Sequence, residues 1–139
     1  MSVFFDISAA LDDRLNGMAG LPAVAWPNRE FNPTTGALYL RPTMILGDTV
    51  GGSSSGATIK DMYSGIYQVD IFAPSGQGKS EAAQMADAVA DRFKRDTQLT
   101  YNGRTVSIGH STQLPPRNDG AFYVVPVMID FYALTTERA

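Results

Sequence analysis

Residues Ala73-Pro74-Ser75-Gly76-Gln77-Gly78-Lys79-Ser80 carry the spacing of a phosphate-binding loop, with alanine in place of the first glycine. In such a loop, backbone N–H groups cradle phosphates, a lysine (here Lys79) reaches the terminal ones, and a hydroxyl (here Ser80) holds magnesium. Asp130, after the apolar run Val124–Ile129, would then be the metal-holding residue of a second strand. The setting argues against this chemistry. Phosphate-loop folds use a parallel sheet of repeated strand–helix units. Here one helix follows the motif, then a hairpin and a return strand, which is an antiparallel order, and Pro126 interrupts the run before Asp130. The reading adopted is a glycine turn whose Ser80 caps a helix. A small nucleotide-binding enzyme using Lys79 is kept as the alternative.

Other catalytic constellations are thinly supplied. The chain has no cysteine, which excludes disulfides, thiol nucleophiles and cysteine-ligated metals. His110 is the single histidine, and a metal site usually needs three or four ligands. No G-x-S-x-G nucleophile elbow occurs, including in the glycine–serine run Gly51–Gly56. The expectation is therefore no enzyme, no cofactor and no metal.

The elements that would position these residues follow from periodicity. Ser2–Asn16 reads as a helix, with Phe4, Ile7, Leu11, Leu15 and Met18 on one face and Asp6, Asp12, Asp13 and Arg14 mostly solvated. Asn16-Gly17 offers a left-handed stop. Pro22–Trp26 is a short extended segment and Asn28–Gly36 a turn-rich loop. Ala37–Leu46 is a strand in which Pro42 suggests an edge or a bulge. Met62–Ala73 is a strand with Tyr67, Val69 and Ile71 on one face and Ile66, Gln68, Asp70 and Phe72 on the other. Ser80–Arg95 is a helix with a stripe of Ala82, Met85, Ala86, Val89 and Phe93. Leu99–Tyr101 and Arg104–Ile108 flank Asn102-Gly103, a two-residue hairpin signal. His110–Gly120 is a loop. Ala121–Leu134 is a long, nearly all-apolar strand, which needs cover on both faces, from helices or from another subunit. The fold class is α+β: two helices on a mostly antiparallel, mixed sheet in the order α-β-β-β-α-β-β-β.

The 139 residues suit one domain, 1–139, and 44% apolar residues rule out disorder as a whole-chain description. Lys plus Arg is 11 and Asp plus Glu 14, a net charge of −3, so sequence-specific nucleic-acid binding is not expected. No run approaches the ~18 apolar residues of a membrane span, and the start of the chain lacks the pattern of a signal peptide.

The segment Gly47–Lys60 is rich in glycine and serine and reads as a flexible arm, 47–60, with Val50, Ile59 and Met62 as the apolar groups that could dock it. Asp70 and Asp130 sit inside apolar strands, where each is a candidate for pairing with an arginine such as Arg41 or Arg104. With Arg117, these complete the interface candidates.

Tyr63-Ser64-Gly65-Ile66-Tyr67-Gln68-Val69-Asp70-Ile71-Phe72-Ala73-Pro74, followed by a glycine turn and an alanine-rich helix, resembles the tail terminator-like proteins of long-tailed bacteriophages. The C-terminal strand Val125-Pro126-Val127-Met128-Ile129-Asp130-Phe131 is similar to that family's too, and the order of elements agrees along almost the whole chain. The resemblance implies a non-enzymatic virion protein that forms a ring, most simply a hexamer, at the neck end of the tail. Its implied partners are further copies of itself, the major tail tube protein and a head–tail connector or stopper. It would be assembled in the host cytoplasm, and another head–tail connector or neck adaptor is the neighbouring reading.

Overall fold

Helix α1 (Val3–Asn16) and helix α2 (Ser80–Arg92) lie against one face of an eight-stranded sheet in a computed structural model that describes residues 3–47, 50–55 and 58–135. The strands are β1 (Ala23–Val24), β2 (Tyr39–Leu46), β3 (Val50–Ser55), β4 (Thr58–Pro74), β5 (Gln98–Tyr101), β6 (Arg104–Gln113), β7 (Arg117–Asp119) and β8 (Phe122–Thr135). Their order is β1-β2-β4-β8-β6-β5, with β3 added to β4 and β7 to β8. Among the described residues only β1 and β2 run parallel. The α+β class, two helices on a mixed and mostly antiparallel sheet, is as expected.

Alternation along β4 and β8 sorts their side chains. Tyr63, Tyr67, Val69, Ile71 and Ala73 from β4, with Val125, Val127, Ile129, Phe131 and Ala133 from β8, are buried beneath the helices. The helices meet them with Val3, Ile7, Leu11 and Leu15 from α1 and Ala82, Ala86, Val89 and Phe93 from α2's side. Gly65 has a packing reason: a Cβ there would collide with the Ile45 carbonyl oxygen, and the Phe131 ring of the facing strand lies over it.

Prolines fall where the ladder has gaps. Beyond Leu40, β2 has no neighbour on its outer side among the described residues, and Pro42 lies in that free stretch. The edge assignment therefore holds. Pro126 of β8 sits between the last pair with β6, Gln113↔Val127, and the first with β7, Arg117↔Val124.

Several local expectations are corrected. Two segments whose composition predicts irregular structure carry strands: 50–55 pairs with β4 as β3, and His110–Gly120 contains the end of β6 and all of β7. Backbone pairing needs no apolar side chain, so the glycine–serine composition did not reveal β3. Asp48, Thr49, Gly56 and Ala57 of the proposed arm lie outside the described residues. Ser80 is not the cap of α2; Lys79 is, without a side-chain hydrogen bond, while Ser80 Oγ accepts from Gln84 Nε2 at 3.3 Å. The helix stops at Arg92 rather than Arg95, with Phe93 as its cap. Gly17 is not left-handed. Its role is space, since a Cβ would lie 2.6 Å from Arg92 Nη2.

Candidate interaction surfaces

The helix-free face of the sheet is where sequence position and exposure converge. Even-numbered residues of β4 and β8 and odd-numbered residues of β2 point there. At one end the row Tyr39↔Phe72↔Val124 is closed over by Phe31 and Phe122 into a second small core. Tyr39 and Phe72 stack with ring centroids 4.7 Å apart and planes 2° from parallel. Elsewhere this face is open: Ile45 is 47%, Met62 37% and Tyr132 49% exposed. Three large apolar side chains thus stand open on the same face whose other end is a covered core.

Arg41 and Asp70 are direct cross-strand neighbours on this face. They do not form the ion pair expected of them. The Arg41 guanidinium lies over the Phe72 ring, 4.5 Å from its centroid, and the buried Asp70 carboxylate accepts from Gln68 Nε2 at 2.8 Å. Asp130 is exposed and faces Ile66, and Arg117 is exposed on β7. Val50 and Ile59 belong to the β3–β4 hairpin; their side chains lie outside the described part of the structure.

Arg104 is not a surface group. It is buried against α1, its Nε 3.1 Å from Asp6 Oδ2, and Asn102 Nδ2 of the hairpin turn donates to Asp6 Oδ1 at 2.9 Å. Asp6, expected on a solvated face, is thus the carboxylate partner of Arg104. The signal lay in its spacing, since Asp6 falls between Val3 and Ala10, which are both buried. A second α1 acid is engaged as well: the Tyr67 hydroxyl donates to Asp12 Oδ1 at 2.6 Å. Burial raises the Asp12 carboxyl above its ordinary value.

A groove of about 580 Å³ opens beside the free stretch of β2. Its walls include Ser8 and Asp12 of α1, Trp26 and Phe31 of the following loop, and the β2 residues Arg41 to Met44.

The phosphate-loop lookalike has the wrong frame. Its strand, β4, is flanked by β2 and β8, both antiparallel to it. Gly76 and Gly78 take positive φ, 84° and 80°, as turn glycines, and Lys79 is exposed. His110 is exposed beside the irregular pairing between Ile108 and Ser111. Among the described residues no three His, Cys, Asp or Glu side chains cluster as metal ligands, and no helix is long and apolar enough to cross a membrane.

Comparison with known proteins agrees with this architecture. One solved structure, 23% identical, superposes over the whole of both chains with a TM-score of 0.74, which shows the fold alone. No protein of curated description matches. Residues 6–131 match the family model described as phage tail terminator protein. That match spans nearly the whole chain, including the Tyr63–Pro74 segment and the last strand as far as Phe131, and the chain therefore belongs to the phage tail terminator family.

Proposed function

We propose that this tail structural protein closes the neck end of a phage tail as a ring of identical subunits, most simply six. The ring would stop polymerisation of the tube protein and offer a joining surface to the head-side connector. The observation that carries this reading is the helix-free sheet face with Ile45, Met62 and Tyr132 exposed, in a chain of the terminator family. A head-to-tail contact that closes generates a ring. The surfaces that fit are this face, with Asp70, Arg41 and Asp130 on it, the Arg117 strand, and the β3–β4 hairpin as an assembly arm. Arg104, held inside by Asp6, acts on assembly only through the fold.

The test is complementation of a phage lacking this chain. Replacing 47–60 by an Asn-Gly turn should leave the subunit folded and yield tails that are overlong or unable to join heads. Tyr132→Asp, which places a charge on the open face, should do the same. Tails of normal length that join heads with both variants would refute the assignment of these surfaces. One or two copies per tail, by mass measurement, would refute the ring.

A further inference from the structure

Among the described residues, two strands each have one side without a neighbouring strand, and their geometry suits one another. Ala25 N–H donates to the Leu40 carbonyl at 2.8 Å on the outer side of β2, and Gly47 N–H donates to the Ser64 carbonyl at 2.8 Å on the β4 side. Alternation therefore turns the backbone groups of Pro42, Met44 and Leu46 outward. They present three carbonyls and two N–H groups with no strand opposite among the described residues, since β1 pairs with only Tyr39 and Leu40. Open edges of this kind are templates for a further strand. The groove walled by Trp26, Phe31 and Asp12 adjoins this edge.

The second strand is β3. Among the described residues it pairs with β4 alone. Among the described residues the last pair of β8 with β4 is Asp61↔Thr135, so at 58–60 the hairpin is a two-stranded ribbon with β3 as β4's one partner. A two-stranded ribbon is marginal in water and is stabilised by a third strand. Its sequence, Val50-Gly51-Gly52-Ser53-Ser54-Ser55, has small side chains after the first residue, which suits close approach between a helix and a strand edge. The six residues of β3 also match the open run of β2, 41–46, in length.

From this pairing of needs we infer that β3 of one subunit adds to the free edge of β2 in a second copy of the chain. The donor strand lies along Pro42, Met44 and Leu46 beside the Trp26 groove. Each subunit gives one strand and receives one, a head-to-tail contact that can close into a ring. The inference rests on the ring reading above and names its contact.

The chain's lack of cysteine makes a direct test possible. One preparation carries Ile45→Cys, at a position whose own backbone bonds go to β4. The other carries Ser53→Cys, Ser54→Cys or Ser55→Cys. Mixed at concentrations where the protein associates and then oxidised, an Ile45→Cys chain should cross-link to at least one of the three serine variants, with little product from either preparation alone. Met44→Pro removes an outward N–H and spares the bonds to β4, as Pro42 does naturally. It should abolish the cross-link while the urea midpoint shows the chain still folded. Trp26, the single tryptophan, should shift its emission on association in the parent protein and not when 47–60 is shortened. Association without any mixed cross-link, or unaffected by Met44→Pro in a folded chain, would overturn this contact and leave the ring standing. Chains monomeric at every concentration and without cross-link would also overturn it, while the tail-length phenotype tests the terminator role independently.

Discussion

Arg14 and Arg92 hold the two helices together by a reciprocal exchange. Arg14 Nε donates to the Arg92 carbonyl at 2.9 Å, and Arg92 Nε donates to the Arg14 carbonyl at 2.7 Å. Each carbonyl sits in the last turn of its helix, where no intrahelical N–H remains to reach it. Each guanidinium also sits at the negative end of the opposing helix dipole. Gly17 leaves the space Arg92 occupies.

Arg92→Ala should therefore destabilise the protein by about 1.5–3 kcal/mol, the usual range for a hydrogen bond from a charged group. Gly17→Ala should cost less, because the end of a flexible side chain can move aside. The two should be non-additive, since a displaced Arg92 has already lost part of its bond. Urea denaturation of both single variants and the double variant checks this, and strict additivity would show that Gly17 does not serve the clasp.

The Asp6–Arg104 pair should behave as a buried pair. Asp6→Ala or Arg104→Ala leaves one charge inside, at a cost of about 3–5 kcal/mol, whereas replacing both by apolar residues of similar volume should cost clearly less. Asn102→Ala, which removes a hydrogen bond to the same carboxylate, should cost about 1.5–3 kcal/mol and couple to Asp6 in a double-mutant cycle.

Asp12 should make stability depend on pH. Burial is the main reason its carboxyl is raised above 3.8; the Tyr67 hydrogen bond lowers it, and Asp13 raises it further. Burial, then the Asp12 charge, push the Tyr67 hydroxyl far above the usual phenol range, so it remains a donor. The folded state holds the Asp12 proton more tightly than the unfolded chain does. Its contribution to stability is complete below 3.8 and is lost as pH rises through the raised folded value. The stability of the parent relative to Asp12→Asn should thus fall with rising pH across that window and level off above it. Urea midpoints measured from about pH 3 to 7 test the sign; parallel profiles would show that Asp12 is not coupled to folding.

Phe93 and Lys79 separate the core from the surface around α2. Phe93 is fully buried, its ring centroid 5.6 Å from that of Tyr67, and Phe93→Ala should cost about 3–5 kcal/mol. Lys79 is exposed and makes no capping bond, so Lys79→Ala should change stability by less than about 0.5 kcal/mol. It should leave tail assembly unchanged as well. Micromolar ATP binding that Lys79→Ala removes would revive the nucleotide reading.

The sequence by itself determined those features whose physics is local. The stripe Ala82, Ala86, Val89 and Phe93 recurs at helical spacing and is the buried face of α2's end of the core. Asn102-Gly103 can take positive φ at both positions, 50° and 78°, and so turns β5 into β6. Alternation within Met62–Ala73 set Tyr67, Val69 and Ile71 on one face and Ile66, Gln68, Asp70 and Phe72 on the other, and Pro42 suggested an edge or a bulge. The Tyr63–Pro74 motif and the Val125–Phe131 segment, with the order of these elements, suggested the family that residues 6–131 then matched. Only tertiary structure decided the rest, because it depends on residues far apart in the chain. Asp6 is inside because Arg104 and Asn102 reach it. Gly17 is small for Arg92, not for a left-handed turn. β3 exists because β4 offers it a backbone, which no side-chain pattern records, and the groove at Trp26 exists because α1 and a loop stand beside a strand edge that no other described strand pairs.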